Sequence, residues 1–256
     1  MTTVPEFMEP FRIKSVEPIP FPTSGERRAA LVAAGYNLFR VPARAITVDL
    51  LTDSGTNAMS VAQWAALITG DESYAGATSY EHFASVVREL TGYDEVMPVH
   101  QGRAAERILL GNVLEPGAVS ISNTHFDTTR AAVESAGATA VDLPVGEASG
   151  STLGGDVDLA QLGEWLDGVD GHRVRCVVLT ITNNAGGGQP VALANVAAVR
   201  RLCDEHRILL LLDASRFAEN AYLITEREPG QSHRSPREVA HAVFSLADGC
   251  WASLKK

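Results

Sequence analysis

The sequence predicts an α/β fold built on a mostly parallel sheet with helices on both faces. Two observations carry that expectation. From about residue 95 onward, short apolar runs alternate with longer helical stretches, the pattern of strands joined by helical crossovers. One of the runs, "ILLLL" at residues 208–212, is apolar without interruption, as a central strand covered on both faces should be. A third feature locates the chemistry. The polar stretches "HQGR", "NTHFDTT", "TNNAGGGQP", "DASR" and "SLKK" all stand just after apolar runs, and ligands of such sheets bind at the carboxyl ends of the strands.

The elements follow in order. The opening segment, "MTTVPEFMEPFRIKSVEPIPFPTSGERR", carries a Pro every few residues and reads as an extended arm. "SGERRAALVAAGYN" reads as a helix with Ser24 as N-cap and Gly35 as its stop. Ile46 to Leu51 has a strand pattern that breaks into the turn "TDSGTN". Helices are expected over "SVAQWAALITG" and over "SYEHFASVVRELTG", whose Phe83, Val86, Val87 and Leu90 share one face. "EVMPV" reads as a strand leading into the helix "HQGRAAERILLGNVL"; "AVSIS" leads into "NTHFDTTRAAVESAG", and "ATAVDLPV" into the exposed Gly/Ser loop "GEASGSTLGGD". "RVRCVVLTIT" then leads into the helical "NNAGGGQPVALANVAAVRRLCDEH", and "RILLLLDAS" into "RFAENAYL". "HAVFSLADG" reads as a last strand before "GCWASLKK".

Composition narrows the function. A formal charge of −10 disfavours a sequence-independent grip on nucleic acid, which needs clustered Lys and Arg. No apolar run approaches the roughly 18 residues of a membrane span, and the start lacks the basic-then-apolar pattern of a signal peptide. A cytoplasmic protein is expected. Cys176, Cys203 and Cys250 are far apart in or beside apolar runs, so buried free thiols are expected rather than a disulfide or zinc site.

Asp213 ends the central run, and a carboxylate at the edge of a core needs a partner. Arg216, three residues on, is one candidate. The other is the protonated pyridine nitrogen of pyridoxal phosphate, which an adjacent carboxylate keeps cationic. That cofactor also needs a lysine for its Schiff base and hydroxyl or N–H groups for its phosphate; Ser253 and Lys256 offer both, three residues apart.

The stretches "EPFRIKSVEP", "DLLTDSGTNAMS", "GDESYAG", "HQGRAAE", "FDTTR", "NNAGGGQPV", "DASRFAENAY" and "ADGCWASLKK" occur in the order in which the β-eliminating lyases carry their motifs. On these residues the chain resembles that family, the tryptophanase and tyrosine phenol-lyase group. The resemblance implies the large domain of pyridoxal-phosphate fold type I, the aminotransferase-like fold. It implies an N-terminal arm and helix over residues 1–45 and a cofactor-binding large domain over 46–256, incomplete at its C-terminus and without the small domain. The family's second half supplies the carboxylate-clamping arginine, and a chain cut at the cofactor lysine is expected to be a fragment.

Residue by residue, the resemblance makes Lys256 the Schiff-base lysine of pyridoxal 5'-phosphate, with Lys255 and Ser253 as its neighbouring lysine and phosphate serine. Gln101, Gly102 and Arg103 match the phosphate-side loop, and Phe126 the ring that stacks on the pyridine. Asp213 matches the partner of the ring nitrogen, and Arg216 and Asn184 groups near the cofactor's phenolic oxygen. Thr52, Ser54, Asp127 and Asn184 match substrate-side positions. Tyr74 matches a general acid supplied to a neighbouring subunit, and Gly55 and Glu72 part of a potassium site. The implied assembly is a homo-oligomer, a dimer of dimers, with its site at a subunit interface.

The implied reaction is β-elimination on an L-amino acid, releasing the leaving group with pyruvate and ammonia. Asp127 and "SRFAENAY" lean toward tryptophanase and "TNAMS" toward the phenol-lyase. A carbon–sulfur lyase acting on cysteine or thiocysteine adducts in polyketide biosynthesis is the alternative, and a catalytically inactive binding subunit the alternative of another class. His125 and Trp251 stand where the family commonly carries an aromatic and a Thr or Ala, differences that fit either an altered leaving-group pocket or packing.

Overall fold

The computed structural model describes residues 19–49, 59–71, 73, 75–146 and 153–254. The chain divides into two compact units, Met1–Ser54 and Gly55–Lys256. The described part of the first holds helix α1, Ser24–Ala33, and two short 3₁₀ turns, Leu38–Arg40 and Ala43–Ala45. Its N-cap is Thr23 rather than Ser24. The Thr23 hydroxyl accepts the Glu26 N–H while the Glu26 carboxylate accepts the Thr23 N–H, a reciprocal box that starts the helix one residue earlier than expected. The strand expected from Ile46 is not formed over 46–49, and the remainder of that stretch lies outside the described residues.

The second unit carries a five-stranded sheet of β1 (Val119–Ser122), β2 (Thr139–Asp142), β3 (Val174–Thr180), β4 (Leu209–Asp213) and β5 (Gly249–Trp251). Its order is β2-β1-β3-β4-β5, and every neighbouring pair is parallel. Parallel neighbours need crossover connections, which helices provide. Those helices are α5 (Asp127–Ser135), α6 (Leu159–Asp167), α7 (Leu193–His206), α8 (Phe217–Arg227) and α9 (Pro236–Phe244). Before the sheet come α2 (Val61–Thr69), α3 (Thr78–Thr91) and α4 (Gly102–Val113).

Alternation along the strands separates two cores. Val177 and Leu179 of β3, with Leu210 and Leu212 of β4, pack with α6, α7, α8 and α9. Cys176, Val178, Leu211 and Trp251 face the other way and pack with Leu110 of α4 and Val133 of α5. Both faces are therefore covered, as the apolar run at 208–212 requires. The architecture is the α/β arrangement expected, with helices on both faces of an all-parallel sheet.

Two expected strands are corrected. "EVMPV" forms none: Pro98 has no N–H to give to a ladder, and Met97 is 77% exposed. "HAVFSLADG" begins as the last turn of α9, His241–Phe244, and continues as a turn into β5. Ser235 and Glu238 form a capping box, Pro236 opens the first turn, and Val239, Ala240, Val243 and Phe244 bury one helical face. The strand is the shorter β5 that follows. The glycine run at 186–188 precedes α7 rather than joining it. Gly187 and Gly188 have φ of 78° and 71°, and the turn closes through the Asn183–Gln189 bridge.

Candidate active site

In the sheet order the chain leaves β1 for β2 on one side and returns to β3 on the other, so the strand order reverses between β1 and β3. A crevice opens at such a reversal, beyond the carboxyl ends of the strands. The segments that end there are 123–126 after β1, 181–184 after β3, 213–216 at the end of β4 and 252–254 after β5.

Asp213 is the last residue of β4, paired in register with Thr180 on one side and Trp251 on the other, and it is 5% exposed. Its Oδ1 accepts the Ser215 N–H at 3.2 Å. An N–H donor favours the ionised carboxylate. The Ser215 hydroxyl in turn accepts the Ser253 N–H at 3.2 Å, which links the end of β4 to the segment after β5. Arg216 is the N-cap of α8 and half-buried beside this turn.

Gly102 opens α4 and meets the same segment. A Cβ built on it would stand 3.2 Å from Ser253 Cβ and 3.5 Å from Ser253 N, closer than most side chains approach. The absent side chain lets the first turn of α4 lie against Ser253. Gln101 is the extended N-cap and makes no side-chain capping bond; with Arg103 it is exposed. The first N–H groups of a helix have no intrahelical acceptor, so this turn offers backbone donors beside two serines.

The loop after β1 is held by a buried polar chain. Asp142 Oδ1 accepts both the His125 N–H at 2.9 Å and His125 Nδ1 at 2.6 Å, and Arg130 pairs with the other carboxylate oxygen. His125 Nε2 bonds the Ser120 hydroxyl at 2.9 Å. Burial pushes the Asp142 carboxyl up, but the bonds from His125 and Arg130 outweigh it and hold the group down at about 2. This lock sets the position of Phe126, the half-buried N-cap of α5, and of the exposed Asp127 in its first turn. Asn123, 1% exposed, ties the loop to β3: its side chain accepts the Thr180 N–H and donates to the Gly155 and Thr180 carbonyls. Asn184 is exposed on the glycine turn after β3, its carbonyl accepting the Gly187 N–H.

The structure therefore brings Gly102, Asp213 and Ser253 together through Ser215. Phe126, Asp127, Asn184, Arg216, Gln101 and Arg103 stand at the same strand-end and helix-start positions. Thr52, Ser54, Gly55, Glu72, Tyr74, Lys255 and Lys256 lie outside the described residues. Ser215 was missed by sequence reasoning, although its place two residues after a strand-end Asp was a usable signal. His125 and Trp251 are each 3% exposed, the first in the polar lock and the second in the core. The three cysteines are free, and burial raises their thiols to about 11 for Cys176 and about 12 for Cys203 and Cys250. Among the described residues no cluster of three or more His, Cys, Asp or Glu could hold a metal, and no helix is long and apolar enough to cross a membrane.

These groups suit a phosphorylated pyridine. Backbone donors and hydroxyls gather at Gly102, Ser215 and Ser253, and a buried carboxylate stands on the neighbouring strand. The beta-eliminating lyase family model matches residues 49–256. The chain is 52% identical to a tryptophanase of Salinibacter ruber over 253 residues, 97% of this chain and 54% of that protein. It is 50% identical to a tryptophanase of Hyphomonas neptunium, covering 97% of this chain and 56% of that one. A tyrosine phenol-lyase of Pasteurella multocida is 43% identical, at 97% and 55% coverage. The chain spans about half the length of these curated relatives. With the family model matched over most of its length and the relatives over 97% of it, this chain belongs to the beta-eliminating lyase family.

Proposed function

We propose that the full-length protein is a pyridoxal-phosphate-dependent lyase that removes the β-substituent of an L-amino acid and releases it with pyruvate and ammonia. The observation that supports this most directly is the meeting of Gly102, Ser215 and Ser253 beside Asp213, a helix start and two serines next to a buried carboxylate, in a chain of this family. The higher identity to tryptophanases than to the phenol-lyase, together with Asp127, favours indole as the leaving group.

Pyridoxal 5'-phosphate, when bound, supplies an electron sink that lets a proton leave the substrate's Cα. The backbone N–H groups of the first turn of α4, with the Ser253 and Ser215 hydroxyls, bind its phosphate. Gln101 and Arg103 add side-chain donors at the same turn. Asp213 would keep the ring nitrogen cationic, and Arg216 and Asn184 would serve the cofactor's phenolic oxygen. Phe126 covers one face of the ring and excludes water from it. Lys256 would hold the cofactor, and its Nζ would be the base that accepts the proton from the substrate's Cα. Tyr74 gives its phenolic proton to the leaving group, a role suited to a phenol that is protonated at neutral pH. Water completes the release of pyruvate and ammonia. Thr52 and Ser54 hold the substrate carboxylate, Gly55 and Glu72 contribute to a potassium site, and a neighbouring subunit completes the site.

The test is to assay the full-length protein with cofactor for pyruvate release from L-tryptophan, L-tyrosine and S-substituted cysteines, following visible absorbance. Pyruvate with stoichiometric indole from L-tryptophan supports the reading. Pyruvate only from the cysteine derivatives moves the leaving group to a thiol. Absence of both cofactor absorbance and turnover overturns the lyase and leaves a binding subunit.

A further inference from the structure

Glu106 is a buried acid that the roles above do not use. It lies four residues after Gly102 on α4, hence on the same helical face, and is 5% exposed. Its Oε1 accepts the Thr129 hydroxyl at 3.1 Å. Its Oε2, the Thr128 hydroxyl and the Trp251 indole N–H are all buried and make no hydrogen bond. Thr128 and Thr129 face it from the first turn of α5, Trp251 from β5, and Asp213 from the end of β4. Among the described residues, neutral hydroxyl and indole groups face it and no cation does, whereas Asp213 receives a backbone N–H. Two neighbouring buried carboxyls do not both ionise readily, and the one with the weaker donors keeps its proton.

We propose that Glu106 is a positioning residue kept as a neutral carboxylic acid, which ties the first turn of α4 to α5 and β5 and leaves the negative charge beside the site to Asp213. The proton on Oε2 makes the acid a donor to the Thr128 hydroxyl, and its oxygens remain acceptors for Trp251. Burial pushes the Glu106 carboxyl up and the nearby Asp213 charge adds to it, while the Thr128, Thr129 and Trp251 donors pull it down without outweighing burial. Its consequence for the cofactor rests on the function proposed above, because Asp213 then meets the ring nitrogen without a second carboxylate competing for that cation.

The test compares wild type, Glu106→Gln and Glu106→Ala in the full-length protein. Thermal unfolding of the cofactor-free forms is followed across pH. A folded acid with a raised pKa binds its proton more tightly than the unfolded chain does. The stability this gives is present below the unfolded value of about 4.5 and is lost as pH rises toward the folded value. Glutamine mimics the neutral acid and does not titrate, so the Tm of Glu106→Gln relative to wild type should climb with pH above about 4.5. A difference that stays flat, or one that falls with pH, overturns the proposal, as does failure of Glu106→Gln to fold at neutral pH. With cofactor, Glu106→Gln should hold pyridoxal phosphate within about threefold of wild type and Glu106→Ala about tenfold more weakly, a loss of positioning. Equal affinity in all three overturns the positioning role. If wild type binds no cofactor, the lyase reading fails, and the cofactor-free unfolding still decides the charge of Glu106.

Discussion

Asp213 concentrates the electrostatics of the site in one residue. It closes a strand of four leucines, is nearly buried, and is oriented by the Ser215 N–H. Replacing it with Asn keeps the shape and removes the charge, so kcat/KM for amino acid elimination should fall by about 10²-fold or more while the sheet still folds. Steady-state pyruvate release, with circular dichroism as the folding control, checks this. Gly102 acts by what it lacks. Gly102→Ala would put a methyl 3.2 Å from Ser253 Cβ and push the first turn of α4 away from the serines. Affinity for pyridoxal phosphate should drop by roughly tenfold, read by titrating the cofactor absorbance. The sequence placed Gly102 after a polar turn and Ser253 near the end of the chain, 151 positions apart; only folding showed that they touch.

At the scale of elements, two local devices set how the strands and helices are presented. The capping box at Ser235 and Glu238 starts α9, whose last residues, "HAVF", have a strand-like pattern in the sequence. Ser235→Ala should cost about 1 kcal/mol and lower Tm by roughly 2–4 °C, with catalysis unchanged. Thermal unfolding and pyruvate assays together check it. The Asp142 lock joins β2 to the loop after β1. Because bonding holds its carboxyl down at about 2, the stability it contributes is present above the unfolded value near ~3.9 and is lost as pH falls through about 2. Asp142→Asn should therefore be less stable than wild type at neutral pH, and the gap should close on the acid side, as acid unfolding curves will read. The misread strands have physical causes at this same scale. A short apolar run has no intrinsic preference once a capping box, or a proline without an N–H, enters it.

For the whole molecule, cofactor binding and folding should be one linked property. Groups at 102, 126, 184, 213–216 and 253 come from five separate segments whose placement depends on the parallel sheet. Ligand that binds only the folded state stabilises it by about 2.7 kcal/mol at a hundredfold excess over Kd. Pyridoxal phosphate should thus raise the Tm of the full-length protein, and Lys256→Ala should sharply weaken that shift. Calorimetry on both proteins measures it.

The sequence by itself determined the class of fold, the covered central strand, the fate of the cysteines and, through its ordered motifs, the family. These follow from local periodicity, composition and short-range spacing, which a linear chain displays directly. It also nominated Asp213 and Ser253, since strand ends in an α/β sheet are where ligands bind, and Gly102 through the family's motif. Only the tertiary structure decided which face each strand residue serves, that β1 and β3 flank the reversal, and that Ser215 links Asp213 to Ser253. It also gathered Glu106, Thr129 and Trp251 into one buried polar cluster. Such contacts arise between residues tens to more than a hundred positions apart. They depend on strand order and register, which close packing of the two cores sets and no stretch of sequence carries alone.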